Sequence, residues 1–556
     1  MSRTVDPASD ARWWEEAVIY QIYPRSFADS NGDGIGDVPG ITAHLDDLVS
    51  LGVDAVWISP WYPSPWADGG YDVADYSTIH PSFGSEADAV RLIDEAHARG
   101  LRVLLDIVPN HVSDQHPWFV GAAEGDPDLL ARFHVVEGRG RDGTEPPNNW
   151  VSAFGGAAWH PMPGQPGKWY LHLFAPGQPD LNWSHPAVGD YFEQVLRTWF
   201  DRGVDGFRID VAHGLVKDMT YPDLEPGASE AQHATYHPAW DQDGVHEIYR
   251  RWNAVAAEYE PRRLFVGEIW VTDNERLSRF LRPDELTTAF QFDLLRAPWR
   301  AADLRSVISD SIAAMAASGA PNTWVLSNHD VTRAPSRYAR RQPDHFVESA
   351  WDRARWATDE PDLELGRRRA RAAALVTSAL PGMWCLYQGE ELGLEEVEDI
   401  PGDQRDDPTW QQSGETDPGR DGCRVPFPWT RSGSSFGFGP EGGAAPWLPM
   451  PASWGELSFE AQSSDPASFL ALYRSLLAVR RSHLLGAPQL AWSDSPSGVL
   501  AFTRGDILVW ANTSTGDVPL PAGRSVLVAS TALAEGVLAP DTAVILGPAE
   551  AEARVG

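Results

Sequence analysis

Short apolar runs alternate with amphipathic stretches over most of the chain. Residues 17–23 (AVIYQIY) and 55–58 (AVWI) read as buried strands with a helical pattern over 41–51 between them. A second helix is better specified: Ser85 stands as its N-cap, Ala87, Val90, Ile93 and Ala96 recur at helical spacing, and Gly100 stops it before the strand 102–108 (RVLLDIV). The alternation lapses over 112–183, a stretch rich in Pro, Gly and Trp that is too long for an ordinary connection and reads as an inserted domain. Strand–helix units resume at 206–209, 264–266, 288–292, 324–326 and 382–386, which makes eight strands in all. Eight parallel strands without a Gly-rich phosphate fingerprint predict a closed (β/α)8 TIM barrel of the α/β class in place of an open doubly wound sheet.

The tail changes character. From about residue 490 short alternating strands, such as 499–503 and 507–512 joined at Arg504-Gly505-Asp506, predict an all-β C-terminal domain. The expected division is therefore 1–111 with 184–486 as the barrel, 112–183 as the loop-rich insertion after strand 3, and 487–556 as the β domain. The Gly/Pro/Trp-rich stretch 399–454 reads as a loop excursion beyond the eighth strand.

Composition narrows the function. Across 556 residues, 44 Lys+Arg face 79 Asp+Glu, a net charge of −35 that excludes a nucleic-acid binder working by phosphate neutralisation. No membrane partner is expected, and the first twenty residues lack the apolar run of a signal peptide, which predicts a cytoplasmic protein acting as a monomer or simple homo-oligomer. Cys385 and Cys423 form no metal motif; pairing is open to them, but reduced, packed thiols are expected. Only two lysines accompany 42 arginines, a bias that a GC-rich genome explains.

In such a barrel the chemistry sits at the C-terminal strand ends. Three apolar runs end there in carboxylates: Asp210 in GFRID, Glu268 in LFVGE and Asp330 in VLSNHD. Each could instead cap a helix or pair locally, but three converging acids cost repulsion that glycoside cleavage gives a reason to bear. One attacks the anomeric carbon, one protonates the leaving oxygen, and the third stabilises the transition state. Arg208, two residues before Asp210 and on the same strand face, is expected to keep Asp210 ionised.

Seven ordered segments, WWEEAVIYQIYPRSFADSNGDGIGD, DIVPNH, QPDLNW, GFRIDVA, VGEIW, LSNHD and YQGEE, make the chain resemble the α-amylase family of retaining glycoside hydrolases, in its α-glucosidase and oligo-1,6-glucosidase branch. The resemblance implies Asp210 as nucleophile, Glu268 as general acid/base, Asp330 as the fixed carboxylate, and His111 and His329 as hydroxyl-binding imidazoles. Arg208 would partner the nucleophile, with Asp106 and Asn110 supporting. It also implies that Tyr71 stacks on the terminal sugar and that Asp68 pairs with Arg424 to close the pocket behind it. Phe154 and Phe174 are candidate walls, with core packing as the equal alternative.

The loop Asp29-Ser30-Asn31-Gly32-Asp33-Gly34-Ile35-Gly36-Asp37 offers oxygens at alternate positions, the chemistry of Ca²⁺ or Mg²⁺, though Gly40 stands where an EF-hand needs Glu. A metal-free Asx-turn is the alternative. The resemblance implies structural Ca²⁺ held by Asp29, Asn31, Asp33, the Ile35 carbonyl and Asp37, and no organic cofactor.

Linkage cues conflict. Val211 is the residue type of α-1,6-cleaving relatives, whereas Ala212-His213-Gly214 departs from their usual continuation and is more similar to maltose-type α-glucosidases. The loop 215–245, with Tyr236, His237 and Trp240, is expected to shape the aglycone subsite. The leading expectation is an exo-acting α-glucosidase on small α-glucosides, α-1,4 favoured. A glucosyl transferase or isomerase on the same site, or a non-catalytic sugar-binding protein, are the competing readings.

Overall fold

A computed structural model describes residues 12–225, 237–271, 273–342, 360–487, 489–534 and 536–549, so Tyr236 lies outside it. Eight parallel strands close a barrel: β1 (Val18–Ile22), β2 (Ala55–Ile58), β3 (Arg102–Ile107) and, after the inserted strands β4 (Val135–Glu137), β5 (Trp159–Pro161) and β6 (Lys168–Leu171), β7 (Gly206–Ile209), β8 (Leu264–Gly267), β9 (Thr288–Gln291), β10 (Thr323–Val325) and β11 (Met383–Tyr387). This is the expected TIM barrel, closed by β1 pairing with both β2 and β11.

Period-two alternation divides each strand between two environments. Ile19, Trp57, Leu104, Leu264, Val266, Phe290, Val325, Met383 and Cys385 pack together as the barrel's inner plug. Val18, Tyr20, Ile22, Val56, Val103, Leu105, Phe207 and Phe265 belong instead to the cluster shared with the surrounding helices. Continuing the inward parity toward the C-terminal ends leads from Leu104 to Asp106, along Arg208 to Asp210, and from Val266 to Glu268. Register then sets Asp106 beside Arg208 and Arg208 beside Val266.

Three local expectations shift. The helix over 41–51 splits into Val38–Ala43 and Leu45–Leu51, because His44 leaves helical geometry (φ −105°, ψ 10°) and stacks on Trp429 at 3.5 Å. Phe292 leaves its strand to begin a helix, Phe292–Arg296, and stacks on Trp270 at 3.9 Å. Strand β10 begins at Thr323, whose hydroxyl meets that of Thr288 at 2.8 Å and so tolerates burial. The helix after Ser85, Glu86–Ala98, carries a full capping box between Ser85 and Asp88.

Within 112–183 the strands form a small antiparallel sheet, ordered β4-β6-β5. Its core of Trp150, Trp159, Leu171 and Leu173 also includes Leu224 and Ala239, so the insertion and the segment after β7 share one apolar cluster. The C-terminal strands are β12 (Ala491–Trp492), β13 (Val499–Arg504), β14 (Ile507–Asn512), β15 (Val518–Pro519), β16 (Arg524–Ala529), β17 (Val537–Leu538) and β18 (Thr542–Pro548). They build an antiparallel sheet ordered β12-β13-β14-β18-β16 and a separate β15-β17 pair. Arg504 pairs with Ile507, so the hairpin loop is the two residues Gly505-Asp506, with Gly505 at φ +57°. Both cysteines are buried and form no disulfide. Among the described residues no helix is long and apolar enough to cross a membrane.

Candidate active site

At the C-terminal end of the barrel lies a cavity of about 230 Å³. It is smaller than the roughly 300–1,000 Å³ of pockets for drug-sized ligands. Asp68, Tyr71, His111, Phe154, Phe174, Asp210, Glu268, His329 and Asp330 line it. All were expected from the sequence.

Beneath the cavity one guanidinium serves three acids. Arg208 Nη1 lies 2.5 Å from Asp210 and 3.0 Å from Asp106, and Nη2 lies 2.6 Å from Glu268. The expectation that Arg208 simply holds Asp210 ionised is corrected by this sharing. Burial raises the Asp210 carboxyl well above the usual range, Arg208 opposes, and the charges of Glu268 and Asp106 reinforce the rise. Burial likewise pushes Asp106 up to about 7. Burial and mutual repulsion thus work against ionising Asp210 and Asp106 together, with the one guanidinium opposing.

Glu268 is further oriented by Trp270, whose indole N–H donates to Oε1 at 2.9 Å, and by the Val211 N–H, which donates to Oε2 at 3.0 Å. Val211 adopts φ +45°. For a β-branched residue that left-handed conformation costs on the order of 1–3 kcal/mol, held here beside Asp210.

The opposite wall carries the reverse charge balance. Asp330 receives Arg420 at 3.1 Å and Arg424 at 3.0 Å. Burial pushes its carboxyl up, but His329 and the two guanidiniums outweigh this and hold it well below the usual range. Burial depresses His329 far below its ordinary value, so the imidazole is neutral and the arginines supply the charge. His329 Nδ1 meets the Gln21 amide nitrogen at 2.7 Å, which places the ring proton on Nε2, 3.2 Å from Asp330 Oδ2. Burial also lowers His111 to about 4, leaving it neutral. Tyr71 stacks on His329 at 5.1 Å and donates to Asp106 at 3.0 Å.

The expected Asp68–Arg424 closure is not what forms. Arg420 binds Asp68 at 2.5 Å and reaches over the Phe154 ring at 4.8 Å, whereas Arg424 turns inward to Asp330 and the His329 carbonyl. Arg420 precedes the single helical turn Asp421–Arg424. A turn later, position 424 points to the barrel and not to the inserted domain. Phe154 and Phe174 meet edge-on at 5.6 Å and act as walls.

Comparison with known proteins agrees with this geometry. The model of the α-amylase catalytic domain matches residues 21–486. The chain belongs to the α-amylase family. It is 38% identical over 528 residues to a probable α-glucosidase of Rhizobium meliloti, covering 89% of this chain and 87% of that one. It is 36% identical to an oligo-1,6-glucosidase of Parageobacillus thermoglucosidasius, covering 88% of each. The structure of an α-glucosyl transfer enzyme, XgtA, superposes with TM-score 0.83 at 34% identity over 96% of this chain and 99% of that one. The protein is thus a glycoside hydrolase of the α-glucosidase and oligo-1,6-glucosidase branch.

This α-amylase-family enzyme also uses residues that the sequence reading passed over. Arg420, His213 and Trp270 line the cavity, and Gln21 sets the His329 tautomer. Gln21 carried a legible signal, a polar residue inside an apolar strand at an inward position. His213 stacks on Trp240 at 5.1 Å and Trp270 on Phe292 at 3.9 Å, giving the cavity mouth two aromatic flanks.

The Asp29 loop closes on its own N–H groups. Asp29 accepts from Asn31, Gly32 and Gly34, Asn31 from Asp33, Asp33 from Ile35, and Asp37 from Ser30 and Gly40. Among the described residues no three His, Cys, Asp or Glu side chains gather as a metal cluster. The donor set is nonetheless all hard oxygen.

Arg420→Met removes charge-assisted bonds to Asp68, Asp330 and the buried Asp407. With such bonds worth about 1.5–3 kcal/mol each, kcat/KM falls roughly 10–100-fold or more while Arg424 keeps Asp330 paired. Steady-state kinetics on the cleaved glycoside checks this; an unchanged kcat/KM would show that the closure is dispensable.

Proposed function

We propose that the protein is a retaining, exo-acting α-glucosidase that releases α-glucose from the non-reducing end of short α-glucosides, α-1,4-linked ones in preference, through a covalent glucosyl-enzyme. The observation that carries this reading is that Asp210 and Glu268 both line the cavity and both bind the one Arg208 guanidinium, at 2.5 and 2.6 Å. Inverting enzymes separate their carboxyls by about 6.5–9.5 Å to admit water and retaining ones hold them about 5–5.5 Å apart; two carboxyls on one guanidinium favour the closer spacing.

In this scheme Asp210 attacks the anomeric carbon as its carboxylate while Glu268, as the acid, gives its proton to the leaving oxygen. Asp330, anionic between two arginines, accepts hydrogen bonds from sugar hydroxyls. His111 and His329, both neutral, bind hydroxyls without competing for the charge. After the aglycone leaves, Glu268 takes a proton from water, which cleaves the ester on the opposite stroke. Asp68 and Arg420 close the far end, which supports cleavage one unit at a time.

Two observations favour a second activity of the same intermediate. The aromatic flanks His213–Trp240 and Trp270–Phe292 offer flat faces for an acceptor sugar. The likeness to an α-glucosyl transfer enzyme points the same way. Transglucosylation is therefore proposed as a side reaction. Val211 at the cavity wall is the feature that favours α-1,6 substrates.

Proton NMR of an equimolar maltose and isomaltose mixture is expected to show α-glucose first, maltose vanishing faster, and no reaction with Asp210→Asn. First-formed β-glucose would contradict retention, and isomaltose vanishing first would make Val211 the better guide to linkage.

For the Asp29 loop we propose a structural Ca²⁺ held by Asp29, Asn31, Asp33, the Ile35 carbonyl and Asp37, with no part in catalysis. Added Ca²⁺ after chelation is expected to raise the melting temperature and leave kcat unchanged. An unchanged melting temperature would mean that the loop's hydrogen bonds suffice.

A further inference from the structure

Lys217 is one of only two lysines in a chain with 42 arginines, and its side chain is wholly buried. Where arginine supplies nearly every other positive charge, an interior lysine marks a place that needs a compact tetrahedral donor in preference to a planar fork. An ammonium has three N–H bonds, and three oxygens stand around this one. Asp180 lies at 2.9 Å, Asn110 Oδ1 at 2.5 Å, and the Gly214 carbonyl completes the set.

These partners come from three segments: Asn110 from the end of β3, Asp180 from the close of the inserted domain, and Gly214 from the stretch after the nucleophile. The junction has no slack. A Cβ on Gly214 would lie 2.7 Å from Trp240, 2.8 Å from Val211 and 3.1 Å from Asn110 Oδ1.

The arrangement dictates which way Asn110 faces. With its oxygen on the ammonium, its amide nitrogen must face Asp180, at 3.1 Å, and His111 Nδ1, also at 3.1 Å. The reverse orientation would set donor against donor. An amide nitrogen only donates, so His111 Nδ1 accepts and the ring proton sits on Nε2, 3.2 Å from the Tyr71 carbonyl at the cavity wall. The Gln178 amide nitrogen, 3.0 Å from the same Nε2, directs its own hydrogen bond to Asp68 at 3.2 Å.

We propose that Lys217 is a positioning residue: by fixing the Asn110 amide it fixes the tautomer and placement of His111, while tying the segment after Asp210 to the inserted domain. Lys217 does not itself line the cavity and acts through His111. The inference rests on the reading that His111 contacts the sugar, and not on which linkage is cleaved.

The test is a double-mutant cycle in kcat/KM on whichever glycoside the wild type hydrolyses. Lys217→Met is expected to lower kcat/KM about 100-fold, the cost of a misplaced contact group. His111→Ala is expected to lower it at least as far, and the double variant to fall no lower than His111→Ala alone. Factors that multiply would overturn the proposal, because Lys217 would then act independently of His111. Full activity of Lys217→Met, or restoration by Lys217→Arg, would overturn it too. Because Lys217→Met alone strands the buried Asp180 charge, the cycle is repeated with Asp180→Asn added, with melting temperatures followed throughout. Activity losses that track melting temperature across the set would mark a merely structural role and reject the positioning one.

Discussion

The site depends on one buried guanidinium facing three carboxylates. Arg208 could not be removed without leaving Asp106, Asp210 and Glu268 to repel one another in a nearly dry interior. Nor could it neutralise all three. Burial and the neighbouring carboxylates raise Asp210 and Asp106 against its pull. The barrel supplies the constraint that makes this affordable: inward parity carries the acids onto the rim of an apolar plug, and strand register fixes Arg208 between them.

Across the cavity two cations stand where the other side has one. Arg420 and Arg424 together face Asp330, Asp68 and Asp407, and Asp407 is itself held well below the usual carboxylate range by these two cations against its burial. The two walls therefore differ: Asp210 and Asp106 are raised on one side, and Asp330 and Asp407 are held down on the other. Between them stand neutral imidazoles at His111 and His329, each with its tautomer set by a neighbouring amide, Asn110 or Gln21. The strained Val211 backbone links the sides of the acid pair, since its N–H orients Glu268 from the residue next to Asp210.

Most of the barrel was legible because strands buried on both faces read as continuous apolar runs closed by turn residues, and the three acids were legible because they stand where such runs end. The boundary errors arose where side chains decided: Phe292 left its strand for the Trp270 ring, and His44 broke a helix to stack on Trp429. The closing arginine was misread for a related reason. Positions 420 and 424 lie in a loop without periodicity, and only the turn Asp421–Arg424 reveals which faces Asp68. His213 and Trp270 gave no pattern signal, since their place at the cavity follows from how the segments after β7 and β8 fold against the inserted domain and β9.

The central claim is that Asp210 becomes covalently glucosylated while Glu268 exchanges the proton. Intact-protein mass spectrometry after incubation with a fluorinated α-glucosyl fluoride, followed by peptide mapping, tests it most directly. The account predicts one glycosyl adduct, on Asp210. An adduct on Glu268, or turnover of the reagent with no adduct and inverted product, would contradict it.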